Sequence, residues 1–282
     1  MRGHCARLGE AWQELRAVRR YPLVVESLLG EAVTATVLLA ATLKFEGKLT
    51  LQMTGSGLVP LLVAQCTHDF RVRAVAHHGD ALPAAAGFAA LVGDGRLVVT
   101  IEAAGRAQRY QGIVPLSGAS MAECLESYFA ISEQLPTRLR LSCDATQAAG
   151  LLLQKLPAAE RGEASGALTQ DVWEELQSGL ASVGDEDLRA APIETVLATV
   201  CGAHDCRLFG GAPLNFQCSC NVGRVSDLLR SIGEPEARDI LAEQGAVTIG
   251  CEFCGREYRF DAVDVEQLFA ARSMGDVSPR LN

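Results

Sequence analysis

The chain has 282 residues, enough for one large domain or two unequal ones, and 49% of them are hydrophobic while only 5% are aromatic. Its formal net charge is −9 at pH 7. This charge argues against a surface that binds nucleic acid or an anionic membrane, because both need an excess of basic residues.

The ten cysteines raise the question of the cellular compartment. Residues 1–20 contain five arginines and no apolar stretch typical of a signal peptide, so we expect reduced thiols and metal ligands in a cytoplasmic protein. Residues 23–43 are the most apolar part of the chain, but Glu26 and Glu31 interrupt them. The uncharged remainder, 32–43, is too short to cross a bilayer, so we expect no membrane span.

Residues 1–160 are predicted to form an N-terminal α+β domain. A helical pattern covers Cys5–Arg20, and Pro22 favours the start of a second helix that runs to about Lys44. This second helix is apolar around most of its surface, so we expect it to be buried. Alternating or continuous apolar residues predict the strands, at Lys48–Met53, Leu58–Gln65, Phe70–His77, Leu97–Glu102, Arg109–Leu116, Leu139–Leu141 and Leu151–Leu156.

Two local signals lie among these strands. Gly93-Asp94-Gly95 stands between apolar runs and predicts a hairpin. Ser120 and Glu123 form a capping box that opens a helix running to about Gln134. The mixture predicts an α+β fold with a mostly antiparallel sheet and packed helices.

Residues 161–213 are predicted to form a helical, acidic connector. Between residues 160 and 190 there are eight acidic residues and two arginines. Amphipathic patterns predict helices at Leu168–Leu180 and from Pro192 to about Cys201. We expect a connector rather than a domain with its own core.

Residues 214–282 carry the strongest signal in the chain. A C-x-C pair and a C-x-x-C pair, thirty residues apart, predict four thiolates on one tetrahedral zinc ion. We refer to them as the four-cysteine cluster: Cys218, Cys220, Cys251 and Cys254. Gly255 suits the tight turn after the second pair, because glycine adopts positive φ without strain.

The chemistry of this cluster argues against two kinds of function. Four sulfur ligands leave no position for water, which argues against hydrolysis. Residues 214–270 contain five arginines, no lysine and ten acidic residues, so this zinc module would repel phosphate. It has few large apolar side chains, so its fold should depend on the metal. Three arginines could offset the charge of the thiolates: Arg224, Arg256 and Arg259.

Two uses of such a cluster remain open on spacing alone. A permanent structural zinc site is the commoner one and is favoured. A redox switch is the other, because thiolate is the form that oxidants attack and a neighbouring cysteine can resolve a sulfenic acid.

Other candidate residues give weaker signals. Cys201, His204 and Cys206 are poorly spaced for a second metal site. The remaining cysteines are expected to be small buried apolar residues: Cys5, Cys66, Cys124 and Cys143. We find no nucleophile–base or paired-carboxylate pattern, so we expect no enzyme active site.

Several ordered segments resemble the 33 kDa chaperonin family, the redox-regulated heat-shock holdases, over nearly the whole chain. In the N-terminal part the resemblance rests on residues 41–47 (ATLKFEG), 109–114 (RYQGIV) and 132–138 (SEQLPTR). In the C-terminal part it rests on residues 216–220 (FQCSC) and 251–255 (CEFCG).

The resemblance implies a function that spacing alone does not. In this family the four cysteines hold zinc while reduced, and oxidation pairs near neighbours, here Cys218 with Cys220 and Cys251 with Cys254. Zinc is then released, the module unfolds, and exposed apolar surface binds unfolding or oxidatively damaged client proteins without ATP. Active members are homodimers formed through the N-terminal domain and serve in the response to oxidative stress.

An alternative function is thiol-disulfide oxidoreductase activity with Cys251 and Cys254 as the catalytic pair. Such a pair normally lies at a helix N-terminus in a thioredoxin-like fold, and here it follows a predicted strand, Val247–Ile249. We therefore favour the chaperone. The client surface is open between the connector face at 172–180 and the N-terminal sheet.

The chain also departs from the family pattern in two places. Its N-terminus is shorter, so we expect an opening strand or arm to be missing. Cys201 and Cys206 are additional, and we hypothesise that they form mixed disulfides with the four-cysteine cluster.

Overall fold

A computed structural model describes residues 1–105, 108–157 and 163–273. It shows an α+β fold, as predicted. The strands are β1 (Arg2–Arg7), β2 (Gly47–Gly55), β3 (Leu61–Thr67), β4 (Arg71–His77), β5 (Gly95–Ala103), β6 (Tyr110–Pro115), β7 (Thr137–Cys143), β8 (Ala148–Gln154), β9 (Asn215–Phe216), β10 (Val247–Gly250) and β11 (Glu257–Phe260). The helices are α1 (Gly9–Val18), α2 (Leu23–Thr42), α3 (Phe88–Val92), α4 (Met121–Tyr128), α5 (Glu163–Ser182), α6 (Asp185–Ala190), α7 (Ile193–Cys201), α8 (Val222–Ile232), α9 (Glu234–Gln244) and α10 (Ala262–Ser273).

The chain divides into two compact units, Met1–Gln217 and Cys218–Asn282. The first contains a six-stranded sheet in the order β6-β5-β2-β3-β4-β9 and a three-stranded sheet in the order β1-β8-β7. All neighbouring strands in both sheets are antiparallel except β4 and β9, which are parallel. The second unit contains the β10–β11 hairpin.

Helix α2 contacts both sheets of the first unit, and this explains its composition. Its residues are buried on all sides, so the sequence shows no polar face. Glu26 is tolerated there because Arg16 of α1 pairs with it at 3.0 Å. Among the described residues α2 is the one helix long and apolar enough to cross a membrane, but 78% of its most apolar window is buried inside the protein.

Helices α5, α6 and α7 pack on β8. Successive residues of this strand point to opposite faces: Leu152 joins the core around α2, while Leu151 and Leu153 join a second core with Trp173 and Leu176 of α5. Both faces of β8 are therefore covered, which accounts for its continuous apolar sequence. The connector residues that the structure describes in these helices share a core with the three-stranded sheet.

Some sequence expectations were wrong at the level of single elements. Residues 5–7, expected to be helical, belong to strand β1 and pair with β8, whereas Gly9–Val18 forms the predicted helix α1. Ala6 is the one buried residue of this strand. The strand's sequence therefore shows no alternation of apolar and polar residues. Cys5, expected to be buried, is exposed.

The predicted hairpin at Gly93-Asp94-Gly95 is also wrong. The preceding residues, Leu91 and Val92, belong to α3, and β5 pairs with β2 and β6 instead. Glycine at position 95 permits a close strand approach, since a Cβ there would lie 2.1 Å from the Thr54 carbonyl oxygen. The predicted cap is confirmed at Ser120, whose Oγ accepts a hydrogen bond from the Glu123 N–H, while the Glu123 carboxylate accepts from the N–H of Ala119 instead of Ser120. The helix it opens changes to a π-helical turn at Phe129–Glu133.

Candidate metal centre

The second cysteine pair lies in the turn of the β10–β11 hairpin. Cys251 follows directly on β10, and its carbonyl accepts hydrogen bonds from the N–H groups of Cys254 and Gly255 at 3.3 and 2.7 Å. Gly255 has φ +66°, the left-handed conformation predicted for it. This turn places both thiols on the same side of the hairpin end.

The first pair lies between β9 and α8. Asn221 caps α8 by accepting a hydrogen bond from the Arg224 N–H at 2.9 Å, so Cys220 directly precedes a fixed helix start. The Arg224 guanidinium donates to the carbonyl and hydroxyl of Ser219, the residue between the two cysteines, at 2.9 and 2.7 Å. These contacts fix the backbone of the C-x-C segment.

The structure brings the four predicted cysteines together, with all four Sγ atoms within 4.8 Å of one another. The distance is 3.6 Å between the sulfurs of Cys218 and Cys251 and 3.3 Å between those of Cys220 and Cys254. Zinc–sulfur bonds of about 2.3 Å in a tetrahedron require sulfurs about 3.8 Å apart. The donor set therefore fits a tetrahedral thiolate metal site.

Tyr258 of β11 is part of the site, and the sequence analysis missed it. Its hydroxyl donates to Cys220 Sγ at 3.2 Å. Burial raises the pKa of the Cys220 thiol, but hydrogen bonds from Tyr258 and from the other three thiols outweigh burial and lower this pKa to about 7. Burial raises the pKa of Cys254 to about 12. The alternation of β11, with Tyr258 and Phe260 buried, was the signal available in the sequence.

Two of the three candidate arginines lie near the cluster. Arg224 binds the C-x-C segment, and the charge of Arg256 interacts with Cys220 and Cys254. Arg259 is exposed in β11 between the buried Tyr258 and Phe260, so it points to the opposite face of the hairpin.

A small apolar core supports the site. Cys220 and Cys251 are half-buried against it. Its buried members among the described residues are Val225, Leu229, Ala237, Val247, Tyr258, Phe260, Val265, Leu268 and Phe269. Because Cys220 and Cys251 pack directly on this core, a metal ion bound by the cluster would couple to core formation.

The other candidate residues are not brought to this site. Within the described ranges, the four-cysteine cluster is the single group of three or more metal-ligating side chains in ligand distance. His204 pairs instead with Glu175 of α5, its Nε2 lying 2.6 Å from the carboxylate. Cys66 and Cys124 are buried, as expected, and Cys143 is half-buried. The C-x-x-C pair lies in a hairpin turn rather than at a helix N-terminus.

Comparisons with known proteins show the family of this chain. The family described as "Hsp33 protein" matches residues 1–261, which include all four cysteines. The chain belongs to the Hsp33 family. The resemblance stated from the sequence motifs is therefore confirmed.

Relatives within the Hsp33 family match almost the whole chain. The 33 kDa chaperonin of Pseudomonas paraeruginosa is 43% identical over 288 residues, covering 99% of this chain and 94% of that protein. The 33 kDa chaperonin of Azotobacter vinelandii is 42% identical over 277 residues, covering 98% and 92%. The crystal structure of the 33 kDa chaperonin from Thermotoga maritima superposes with a TM-score of 0.84 at 24% identity, covering 96% and 94%, and shows the same fold. Family membership and these names support a chaperone.

Proposed function

We propose that this Hsp33-family chain is a redox-controlled holdase chaperone, a binding protein for unfolding clients and not an enzyme. The observation that carries the proposal is the convergence of four sulfurs within 4.8 Å in a unit with a small core. These residues would hold zinc, which when bound supplies the positive charge that keeps all four sulfurs as thiolates. A thiolate cluster both stabilises the fold and reacts with oxidants.

The proposed switch is oxidation of two near-neighbour pairs, Cys218 with Cys220 and Cys251 with Cys254. In each pair one thiolate attacks a hydroperoxide, which breaks the O–O bond and gives a sulfenic acid and an alcohol or water. The second thiolate attacks that sulfur and displaces hydroxide, so each disulfide uses one two-electron oxidant. Disulfide sulfur is no longer a thiolate ligand, and the unit loses the ligands that hold its segments together.

The connector core suggests which surface is then exposed. Trp173 and Leu176 of α5 are buried against Leu151 and Leu153 of β8. Two candidate client surfaces came from the sequence, namely the connector face and the N-terminal sheet. These two surfaces pack against each other in this core. Release of α5 would expose both sides at once, giving an apolar surface large enough to hold an unfolding chain.

We also propose a cytoplasmic homodimer as the active form. Edge strand β6 of the six-stranded sheet supports this, because Tyr110 and Ile113 on it are 43% and 55% exposed. Sedimentation of the oxidised wild type and of Ile113→Lys tests this part: a dimer that persists in the variant would contradict use of this strand.

The deciding experiment compares the reduced and oxidised protein on a heat-unfolding client. Light scattering measures client aggregation, and a metallochromic indicator measures zinc released in parallel. We expect the reduced, zinc-loaded protein to leave aggregation unchanged, and the peroxide-treated protein to suppress it while releasing one zinc per chain. Equal suppression by both forms would refute the switch.

A further inference from the structure

Strand β9 occupies the edge of the six-stranded sheet just before the first cysteine of the cluster. The Asn215 N–H donates to the Phe70 carbonyl at 3.2 Å. The Gln217 N–H donates to the Val72 carbonyl at 3.0 Å, and β9 runs parallel to β4. β9 is two residues long, and Cys218 follows directly on this pairing as the first residue of the second unit.

Two apolar side chains hold β9 on the first unit. Leu214 and Phe216 are half-buried and pack against the core around α2. Asn215 and Gln217 are exposed. Alternate residues of this segment therefore face the protein, as in a half-buried strand. The edge of β4 thus accepts an extended segment with apolar residues at every second position.

The chain that leads into β9 gives it room to leave. Helix α7 ends at Cys201, and residues 205–213 are all exposed. A Cβ atom at Gly210 or Gly211 would meet no atom within 4 Å, so packing does not require glycine there. The two glycines instead add conformational freedom to this tether.

The chain after β9 is ordered by the start of α8. Asn221 caps that helix, and the Arg224 guanidinium binds the Ser219 carbonyl and hydroxyl. An ordered neighbour limits the conformations that a short strand gives up when it docks. Unfolding of the second unit in the proposed oxidised state would remove this support, so β9 would leave β4 more readily.

The backbone of β4 defines the extent of this edge. Phe70, whose carbonyl begins the pairing with β9, has φ +58°, a costly conformation for a residue other than glycine. At the other end of β4, the Ala76 N–H donates to the Tyr21 hydroxyl at 3.2 Å. The site that β9 occupies therefore begins at Phe70 and ends before Ala76.

We propose that the edge of β4 that β9 occupies is a client-binding site, which accepts an extended segment of an unfolding protein once β9 leaves. The segment adds to β4 as a strand, and its N–H groups donate to the carbonyls of Phe70 and Val72. Two alternate apolar side chains take the places of Leu214 and Phe216. Unfolding proteins present such segments, because their own sheets no longer bury them. The inference rests on the proposed holdase function and adds to it the conformation of the bound client segment.

The test uses a fluorescent peptide with the sequence of residues 211–217 (GAPLNFQ) as the client segment. Fluorescence anisotropy measures its binding to the full chain in the reduced, zinc-loaded form and in the oxidised form. Because β9 occupies the edge in the reduced form, we expect the oxidised form to bind the peptide more tightly by about tenfold or more. A control peptide that carries Leu214→Ser and Phe216→Ser should bind neither form.

Substitution in β9 opens the same edge without oxidation. Phe216→Ala removes an apolar anchor of β9 and none of the four cysteines, so the reduced variant should bind the peptide and keep its zinc. Asn215→Ala alters an exposed side chain of the same strand, and this reduced variant should bind the peptide no better than the wild type.

A photoreactive benzoylphenylalanine at position 216 of the peptide locates the bound segment. We expect cross-links to β4 and α1, the elements that contact β9. Cross-links confined to residues 163–201 would overturn the proposal, and so would equal binding by the reduced and oxidised forms. The same holds if an oxidised chain that suppresses client aggregation does not bind the peptide. A failure to suppress aggregation would instead contradict the holdase function, while the reduced Phe216→Ala variant still tests the edge of β4.

Discussion

Truncation of Leu176 tests whether release of α5 creates the client surface. Leu176 is 7% exposed in the core shared with β8, and Leu176→Ala should lower the free energy of keeping α5 docked by about 3 kcal/mol. Since each 1.4 kcal/mol changes an equilibrium tenfold, the population with α5 released should rise by about 100-fold. The reduced, zinc-loaded variant should therefore suppress client aggregation without oxidation.

The assay has an internal reporter and a matched control. The two tryptophans, Trp12 and Trp173, are both buried, and Trp173 is on α5, so a red shift of fluorescence reports its release. Ser178→Ala alters an exposed residue of the same helix and should change neither signal. If Leu176→Ala shifts the fluorescence but leaves aggregation unchanged, α5 release does not form the client surface and the reasoning fails.

Three further predictions concern the metal centre and the core. Removal of zinc by chelation, or Cys254→Ser, should unfold the second unit, because bound zinc would contribute about 10 kcal/mol, as much as the whole stability of about 3–10 kcal/mol expected for a unit of 65 residues; amide exchange should become fast in β10 and β11 and stay slow in β2. Tyr258→Phe removes the hydroxyl that donates to Cys220 and should weaken zinc binding roughly tenfold in a chelator competition, whereas Tyr110→Phe, which alters a hydroxyl in the first unit, should not. Burial, followed by the charge of Asp185, raises the pKa of Glu31 from 4.5 to about 7. The folded state therefore favours the protonated carboxyl of Glu31. This preference stabilises the fold fully below pH 4.5, and the stabilisation is lost as the pH rises through 7. Thermal melts from pH 4.5 to 8 should show this loss in the wild type and a flatter profile in Glu31→Gln; identical profiles would contradict the assignment.

The elements that the sequence predicted well are those whose neighbours leave a clear pattern. Helix α2 is apolar on all sides because two sheets cover it, and β2 alternates because one face is buried. Strand β1 was missed because its pairing with β8 depends on backbone hydrogen bonds between segments about 150 residues apart. The turn at Gly93 was misread because its glycines serve contacts with residues 54–57, not a local hairpin.

The four cysteines of the candidate metal centre were predictable from the sequence, but the residues that surround them were not. Paired cysteine spacing is enough to find the four sulfurs, since a metal imposes one geometry on any chain. Tyr258 follows the second pair at a distance that no metal motif specifies, and its role depends on the register of β10 and β11.

Disulfides usually stabilise proteins, so the proposed unfolding of the second unit on oxidation needs a physical reason, and the positions of the four cysteines supply one. In the proposed zinc-bound state, metal ligation would join the segment before α8 to the β10–β11 turn and close a loop that contains α8 and α9. A cross-link over about 33 residues restricts the unfolded chain by about 4 kcal/mol, whereas one over three or four residues does so by only about 2 kcal/mol. Near-neighbour disulfides therefore replace one long-range link by two short ones that no longer hold α8 to the hairpin.

The cross pairs would act in the opposite way. Cys218 with Cys251 and Cys220 with Cys254 are 3.6 and 3.3 Å apart, and disulfides between them would keep the long-range link. Oxidised protein that carries these pairs should retain slow amide exchange in β10 and β11 after zinc is removed. The proposed switch therefore requires the near-neighbour pairs, because only these would let the second unit unfold on oxidation.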